Sequence, residues 1–439
     1  MPSDLEQERI QYIFTNMKDA VCLCNMTGDL INANPAAERL FGLDLTRSAK
    51  IWNAIPFIEG NDDLIQLFID GAQYRKKTQS SVVAYVNNDG AKFHLHVTLT
   101  CESEDSGMIL IVIHDLTDLF RVHSAFERYT SPEIANFVLT SPEGEKQGGQ
   151  SREASILMSD LRGFTAMSGR LPSDQLITML NHYFGAMAAV IARFRGTVIE
   201  FLGDGIFVVF GAPQELPGHA LAAVRCAVEM QNALIGVNEW NRAQDWPELE
   251  MGIGINSGPV IVGNIGSEQK MKYGCMGETV NLAGRLEAFT LGGEVCISEN
   301  TRKRIPEKLK ILGENSFMPK GGREPIKFYS IAGVGRDCML QNTAGAIEWR
   351  TLPAAKEIGY SLVLAGKSVE AASHRGLLTQ VSTDGKHGML KSEDRLQPLQ
   401  NLMLRLGGLE AYAKVTKCGK RGNRFTFTEK PEGFSELIG

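Results

Sequence analysis

The sequence predicts a chain of the α/β (α+β) class that is divided into several folded units. Three observations indicate this: the length, the alternation of strand and helix patterns in the middle of the chain, and short alternating strands at both ends. A chain of 439 residues exceeds the size that one hydrophobic core usually supports. With 43% hydrophobic and 22% charged residues, the composition is that of folded domains and not of disordered protein.

Charge and apolar patterning disfavour several classes of function. The formal net charge of -6 argues against general binding to nucleic acid or anionic membranes, since both would require a basic surface. The longest apolar run, residues 108–113, has the length of a strand and cannot cross a bilayer. The cysteines lack zinc-ligand spacing, and the acidic, polar N-terminus does not resemble a signal peptide. We therefore expect no nucleic-acid partner, no membrane insertion and a cytoplasmic location.

The first predicted unit covers residues 1–120. Its order is a helix, two short strands around a Gly-Asp turn, a short helix and then three longer alternating strands. The run Asn-Ala-Asn-Pro-Ala-Ala-Glu-Arg-Leu-Phe-Gly at residues 32–42 and the closing His-Asp-Leu-Thr at residues 114–117 resemble PAS sensor domains. This resemblance implies an α+β regulatory domain, and it leaves the ligand or signal unknown.

Two segments without obvious catalytic motifs flank the centre of the chain. Residues 121–150 are predicted as a helical linker or transducer, because apolar residues from Leu119 to Tyr129 recur at helical spacing, as in a short coiled coil. Residues 345–439 show short strands with Asp-Gly and Gly-Gly turns. This last unit faintly resembles a PilZ-type small β-barrel around residues 379–385, but the arginine pair of that family is not visible. We therefore predict a β-rich interaction module.

The unit from residue 151 to residue 335 contains two aspartates in tight turns beside strands. Asp160 follows an apolar strand, and Asp204 lies between two glycines at the tip of a predicted hairpin. Two carboxylates that converge repel each other unless a cation lies between them. Mg²⁺ binds few protein carboxylates and completes its shell with water and substrate phosphates. The alternative interpretation is that each aspartate only forms its turn.

Four ordered segments of this unit resemble the class III adenylate/guanylate cyclase catalytic domain. They are Met-Ser-Asp-Leu-Arg-Gly-Phe-Thr at residues 158–165, Phe-Leu-Gly-Asp-Gly at 201–205, Gly-Ile-Gly-Ile-Asn-Ser-Gly-Pro at 252–259 and Gly-Glu-Thr-Val-Asn-Leu-Ala-Gly-Arg-Leu-Glu at 277–287. The resemblance implies a ferredoxin-like fold that works as a head-to-tail homodimer on GTP or ATP. It also implies two divalent ions, Mg²⁺ or Mn²⁺, in each active site.

Individual residues take expected roles from this resemblance. Asp160 and Asp204 match the metal-binding aspartates, and the Leu161 carbonyl is a further candidate ligand. Asn281 and Arg285 match the pair that orients the ribose and stabilises the transition state, and their spacing puts them on one helix face. The candidates for binding the triphosphate are Gly163, Phe164 and Thr165, whose backbone N–H groups enter a helix, and the basic residues Lys320 and Arg323.

Glu200 and Gly274 occupy the two positions with which the family reads the purine base. Glu at the first position is typical of guanine-directed members, and Lys is typical of adenine-directed ones. A carboxylate accepts hydrogen bonds from guanine N1–H and the 2-amino group, whereas adenine N1 is itself an acceptor. Gly274 supplies no side chain and fits neither pattern. The sequence therefore favours a guanylate cyclase, with an adenylate cyclase or a catalytically silent nucleotide-binding protein as the alternatives.

Overall fold

A computed structural model describes residues 4–42, 50–74, 78–101, 107–144, 146–319, 324–341, 347–363, 369–419, 422–431 and 433–438. Contacts within the chain define two compact units, Met1–Tyr129 and Thr130–Gly439. The elements of the first unit are α1 (Asp4–Asn16), β1 (Ala20–Asn25), β2 (Leu30–Ala33), α2 (Pro35–Phe41), a 3₁₀ turn (Ile51–Ala54), α3 (Asp62–Tyr74), β3 (Thr78–Val86), β4 (Lys92–Cys101), β5 (Met108–Asp115) and α4 (Thr117–Tyr129).

The first unit is built on an antiparallel sheet with the strand order β2-β1-β5-β4-β3. Residues from α2 and α3 join the inward side chains of these strands in one apolar core. Asn34, which is completely buried, fixes the entry to α2: its side-chain oxygen accepts hydrogen bonds from the N–H groups of Val21 and Ala37. Its amide group donates to the carbonyl of Asp19. Asn34 therefore connects β1 to the start of α2. The predicted PAS-type α+β fold is confirmed.

The second unit contains a helical segment, a large sheet with its helices, and a small barrel. Its elements are α5 (Pro132–Thr140), β6 (Gly148–Leu161), α6 (Phe164–Ser168), α7 (Ser173–Arg193), β7 (Thr197–Leu202), β8 (Gly205–Phe210), α8 (His219–Ala243), β9 (Met251–Ser267), β10 (Lys270–Met276), α9 (Glu278–Phe289), β11 (Val295–Ser298), α10 (Glu299–Lys303), β12 (Leu309–Phe317), β13 (Ile326–Val334), β14 (Cys338–Met339), β15 (Trp349–Val363), β16 (His374–Ser382), β17 (His387–Ser392), β18 (Asn401–Leu406), β19 (Leu409–Gly419), β20 (Gly422–Glu429) and α11 (Phe434–Ile438).

The large sheet has the strand order β12-β13-β11-β9-β6-β8-β7, with β10 added to β9 and β14 to β13. Its central part, β9-β6-β8-β7 with the crossing helices α7 and α8, has the predicted ferredoxin-like arrangement. By length and composition alone, α7 and α8 could cross a membrane. Here both helices bury apolar side chains in the core beneath this sheet, as core helices of this composition do.

Two strands extend beyond the predicted apolar runs. Strand β6 begins at Gly148, inside the segment assigned to the linker, and β9 continues to Ser267. The added residues pair with each other, Gly148 opposite Asn264 and Gln150 opposite Val262. Most residues at the start of β6 are exposed, so this part of the strand has no buried face to produce an alternating pattern.

Helix α9 lies very close to β9, and glycines make this approach possible. A Cβ atom at Gly254 would lie 2.1 Å from the backbone nitrogen of Glu287 and 2.6 Å from the carbonyl oxygen of Ala283. A Cβ atom at Gly252 would lie 1.9 Å from the Thr290 hydroxyl oxygen. The Gly-Ile-Gly-Ile segment therefore sets the distance between the sheet and the helix that carries Asn281 and Arg285.

The C-terminal residues form a closed barrel with the strand order β15-β16-β17-β20-β19-β18. Its interior is one apolar cluster that includes Tyr360, Leu390 and Phe425. The turn between β18 and β19 uses Gly407 and Gly408, both with positive φ, as the Gly-Gly signal predicts. The β-rich C-terminal unit is thus confirmed, and it shares one compact unit with the large sheet.

Gly254→Ala is expected to destabilise the second unit by about 1–3 kcal/mol, because the new methyl group must displace backbone atoms of α9. The matched control is Gly236→Ala on the exposed side of α8, where a Cβ atom meets nothing within 4 Å. That change should stabilise the helix by up to about 1 kcal/mol. Calorimetric unfolding of the full chain measures both shifts, and equal effects of the two variants would contradict the close approach.

Candidate active site

Asp160 and Asp204 meet at the end of two neighbouring strands. Asp160 lies one residue before the end of β6, and Asp204 lies in the turn between β7 and β8. Because β8 pairs with β6, with Ile206 opposite Ser159, the turn is brought beside the end of β6. One Asp204 oxygen accepts a hydrogen bond from the Leu161 N–H at 3.2 Å. The two carboxyl groups lie close enough for the charge of Asp204 to act on Asp160.

The proximity of these carboxyl groups changes the acidity of Asp160. Partial burial, then the charge of Asp204 and then that of Glu287 raise the pKa of Asp160 to about 7. Arg162, 3.6 Å from an Asp160 oxygen, opposes this effect. Without a cation, Asp160 therefore takes up a proton at a much higher pH than an ordinary aspartate does.

This donor set fits a divalent cation. Within the described residues, no group of three or more His, Cys, Asp and Glu side chains is placed to hold a metal ion. Two neighbouring carboxylates and a nearby backbone carbonyl leave several positions free for water and substrate phosphates, which is the mode of binding that Mg²⁺ prefers. A cation would also remove the repulsion that raises the pKa of Asp160.

Arg162 connects the carboxylate pair to the end of α9. Its guanidinium donates to the Glu287 carbonyl at 2.9 Å, to the Thr290 hydroxyl at 2.6 Å and to the Glu287 carboxylate. The side chain is only 15% exposed, as is that of Glu287. Sequence reasoning missed this link, because Arg162 lies inside the first motif while its partners lie at the end of the fourth. Only the pairing of β6 with β9 brings them together.

Asn281 and Arg285 lie on the exposed face of α9. The opposite face buries Thr279, Val280, Ala283 and Leu286. Within the described part of the chain, neither the Asn281 nor the Arg285 side chain makes a hydrogen bond or an ion pair, and so neither bonds to Asp160 or Asp204. The helix therefore presents an amide and a guanidinium side by side to the outside of the domain.

The predicted triphosphate residues are described only in part. Gly163 adopts a left-handed conformation with φ 68° and begins the short helix α6, to which Phe164 and Thr165 belong. The carbonyl oxygen of Thr428, from barrel strand β20, lies 3.5 Å from the position of a Cβ atom at Gly163. Lys320 and Arg323 lie outside the described residues. A role of these five residues in phosphate binding stays a prediction.

The predicted base-reading residues, Glu200 and Gly274, lie on β7 and β10. Sequence reasoning missed Lys272, which lies on the same strand as Gly274 and pairs with Glu200. Glu200 on β7 forms an ion pair with Lys272 on β10, and the two side chains are 42% and 52% exposed. Lys272 and Gly274 are two residues apart and share one face of β10. Cys275 belongs to the other face and packs in an apolar cluster with Tyr273. No local signal identifies Lys272, since its partner is on another strand.

Comparison with known proteins assigns these units to families. Residues 147–333 match the adenylate and guanylate cyclase catalytic domain, and residues 8–73 match a PAS domain. Adenylate cyclase 1 of Rhizobium meliloti (strain 1021) is 30% identical over 214 residues, which are 48% of this chain and 32% of that protein. An uncharacterized protein of Mycobacterium tuberculosis (strain ATCC 25618 / H37Rv) is 29% identical over 175 residues, 40% of this chain and 31% of its own length. The chain thus spans about a third of the length of these curated relatives.

Solved cyclase structures also resemble the catalytic domain. The guanylyl cyclase Cya2 is 46% identical, with 44% of this chain and all of that chain covered and a TM-score of 0.43. The adenylyl cyclase CyaB from P. aeruginosa is 32% identical, with 44% and 100% covered and a TM-score of 0.41.

The chain therefore contains a class III adenylate/guanylate cyclase catalytic domain, preceded by a PAS domain. Both resemblances predicted from the sequence motifs are confirmed, as is the fold class. The relatives include proteins named for either purine.

Asp204→Asn should leave the metal-free protein at least as stable as the wild type at pH 8, because it removes one of two repelling charges and keeps an acceptor for the Leu161 N–H. The raised pKa of Asp160 means that the folded state binds more protons than the unfolded chain between about pH 4 and pH 7. The stability of the wild type therefore falls as the pH rises through this window. Asp204→Asn should reduce that fall. Calorimetry in a chelator at several pH values measures both effects.

The same variant should lose stabilisation by Mg²⁺, which for the wild type is expected to reach about 2.7 kcal/mol at 100 times the dissociation constant. Asp337→Asn, on an exposed side chain paired with Arg225, is the control and should keep it. Full stabilisation of Asp204→Asn by Mg²⁺ would contradict the metal site.

Proposed function

We propose that this protein is a purine nucleotide cyclase that converts GTP into 3′,5′-cyclic GMP and pyrophosphate. The observation that carries the proposal is the proximity of Asp160 and Asp204, whose mutual repulsion a divalent cation would relieve. The side chains of Asn281 and Arg285 support the proposal, because they are exposed and have no bonding partner within the described residues. They are therefore available to a substrate.

The residues divide the reaction between binding and charge compensation. Asp160 and Asp204, with the Leu161 carbonyl, would hold two Mg²⁺ or Mn²⁺ ions, which neutralise the triphosphate and lower the pKa of the ribose 3′-OH. The ribose 3′-OH loses its proton to water, and its oxygen attacks the α-phosphorus in line as the bond to pyrophosphate breaks. Asn281 orients the ribose, and Arg285 compensates the charge that develops on the phosphoryl oxygens.

We infer that two copies of the chain build each active site. The carboxylate pair lies at the ends of β6 and β8, whereas Asn281 and Arg285 lie on the outward face of α9 and make no bond to that pair. A head-to-tail homodimer lets the α9 face of one copy serve the carboxylate pair of the other. Such a dimer has two equivalent sites.

Guanine is the base that fits the residues on β7 and β10 best. The Glu200 carboxylate can accept from guanine N1–H and the 2-amino group. Lys272, which contacts Glu200 and shares a strand face with Gly274, is a donor for guanine O6 that Gly274 itself cannot supply. Glu200 thus offers the acceptor, and Lys272 the donor, that the N1, 2-amino and O6 edge of guanine requires.

Adenylate cyclase is the second candidate, and one observation favours it. The Lys272 ammonium lies beside Glu200 and could donate to adenine N1. That arrangement gives the Glu200 carboxylate no ring N–H of adenine from which to accept, at a cost on the order of 1–3 kcal/mol if the site is closed to water. A catalytically silent protein would instead form neither cyclic product.

The PAS unit is proposed to regulate this activity in response to a ligand or signal that is not identified. Helix α4, which ends this unit, keeps Leu119, Val122 and Tyr129 exposed at coiled-coil spacing. We place the protein in the cytoplasm, where its nucleotide substrates and reduced cysteines occur together.

Mixing Asp160→Ala chains with Arg285→Ala chains should restore part of the activity that each variant lacks alone. The heterodimer has one site with both lesions and one intact site. The control is a mixture of Asp160→Ala with Asp204→Ala, in which each site keeps one lesion and activity should stay absent. Cyclic nucleotide formation is measured after heterodimers are verified by two affinity tags. Equal activity of the two mixtures would exclude the shared site.

Glu200→Lys combined with Gly274→Asp should lower GTP use and raise ATP use, changing the ratio of kcat/KM values by about one to three orders of magnitude. The lysine donates to adenine N1, and the aspartate accepts from the 6-amino group. A side chain added at Gly274 would displace only the tip of Ile265, which lies 2.9 Å from the Cβ position. The charge-reversal control is Glu153→Lys, on an exposed glutamate paired with Arg304. A wild type that prefers ATP tenfold would refute the guanine assignment.

A further inference from the structure

A buried lysine of the barrel reaches the end of the helix that carries Asn281 and Arg285. Lys414, on β19, is 4% exposed. Its ammonium donates to the carbonyl oxygens of Ala288 at 2.7 Å and Thr290 at 3.1 Å. The last carbonyls of a helix have no intrahelical partner and form the negative end of its dipole. Lys414 therefore completes the C-terminal end of α9 from a distant part of the chain.

Lys414 is a buried cation that lies near a second cation, Arg162. Lysine is almost never fully buried unless it is paired. Burial, and secondly the charge of Arg162, lower the pKa of Lys414 to about 8, while Glu294 and Glu287 act in the opposite direction. A buried cation next to a second cation is tolerated here because both bind the same helix end.

Other barrel residues contact the catalytic domain around the same place. Leu399, held in a left-handed conformation with φ 73°, packs against the apolar cluster that contains Leu286 and Phe328. Lys386 pairs with Glu250, the residue before β9, at 2.6 Å. We call Leu399, Lys414 and Lys386 the barrel contact. It faces the end of α9 and the loop that follows Asp160.

The end of α9 is thus held from two sides. Arg162 binds the Glu287 carbonyl and the Thr290 hydroxyl from the loop after Asp160, and Lys414 binds the neighbouring carbonyls from the barrel. The side chains of Asn281 and Arg285 have no partners of their own within the described residues. Their position is therefore set by the position of the helix backbone.

We propose that Lys414 is a positioning residue for the cyclase reaction, which makes the C-terminal barrel a structural part of the catalytic unit. By binding the carbonyls at the end of α9, Lys414 sets where Asn281 and Arg285 meet the substrate. This inference rests on the proposed function. It assigns to the barrel a task that needs no ligand of its own.

The test compares Lys414→Met with Lys417→Met, a change on an exposed lysine of the same strand. Both variants are made in the full chain, and kcat and KM are measured with GTP and Mg²⁺. Lys414→Met should lower kcat about 10- to 100-fold, as small displacements of catalytic groups do. KM should stay within about twofold, because the change affects transition-state groups rather than substrate binding. Lys417→Met should match the wild type in both constants.

Hydrogen exchange of the amides of α9 is the second readout, and it does not depend on activity. Lys414→Met should accelerate exchange at the C-terminal end of α9 and leave α7 unchanged. Unaltered kcat with unaltered exchange overturns the proposal, and so does a fall in kcat without faster exchange. If wild-type protein forms no cyclic nucleotide from GTP or ATP, the proposed function fails, whereas exchange still decides whether Lys414 holds the helix.

Should Lys414→Met fail to fold, Leu399→Ala tests the same contact while keeping the buried charge in place. It should lower kcat by less than about 10-fold and accelerate exchange at the end of α9, both relative to Lys417→Met. Values equal to those of Lys417→Met would overturn the proposal.

Discussion

Two carboxylates held close together at the end of β6 constrain the turns, strands and helix around them. The turn that carries Asp204 must come close to β6, and a Cβ atom at Gly205 would lie 2.9 Å from the Ser159 carbonyl and 3.4 Å from an Asp160 oxygen. Arg162, two residues after Asp160, partly offsets the negative charge of this pair. It also binds the end of α9. The placement of the helix and the electrostatics of the carboxylate pair are therefore linked through one guanidinium.

The same constraint explains why the fold separates its functional groups. Gly252 and Gly254 let α9 approach the sheet, so the helix buries one face and turns Asn281 and Arg285 outward. Among the described residues of a single copy, no hydrogen bond or ion pair joins the carboxylate pair to the side chains of Asn281 and Arg285. Under the proposed mechanism, dimer formation unites these groups, and control of dimer geometry becomes a simple route by which a PAS unit could act on catalysis.

Local patterns predicted the fold and part of the site. The spacing of Asn281 and Arg285 predicts that they share one helix face, and α9 bears this out because Val280, Ala283 and Leu286 form its buried face. The extension of β9 to Ser267 was missed although Val260 and Val262 are buried there, because the Gly258-Pro259 pair, a typical turn signal, interrupts the apolar run. Arg162, Lys272 and Lys414 were missed as site residues for a different reason: each acquires its role from a partner on another strand or helix. The catalytic and base-reading roles taken from the family stay predictions.

The most direct test of the central claim is the product formed by the purified 439-residue chain. GTP and ATP are supplied separately, with Mg²⁺ and with Mn²⁺, and the cyclic nucleotide and pyrophosphate are both quantified. The proposed guanylate cyclase function predicts 3′,5′-cyclic GMP and pyrophosphate in equal amounts from GTP, at a higher rate than any cyclic AMP from ATP. The absence of a cyclic product from both nucleotides with both metals would contradict it.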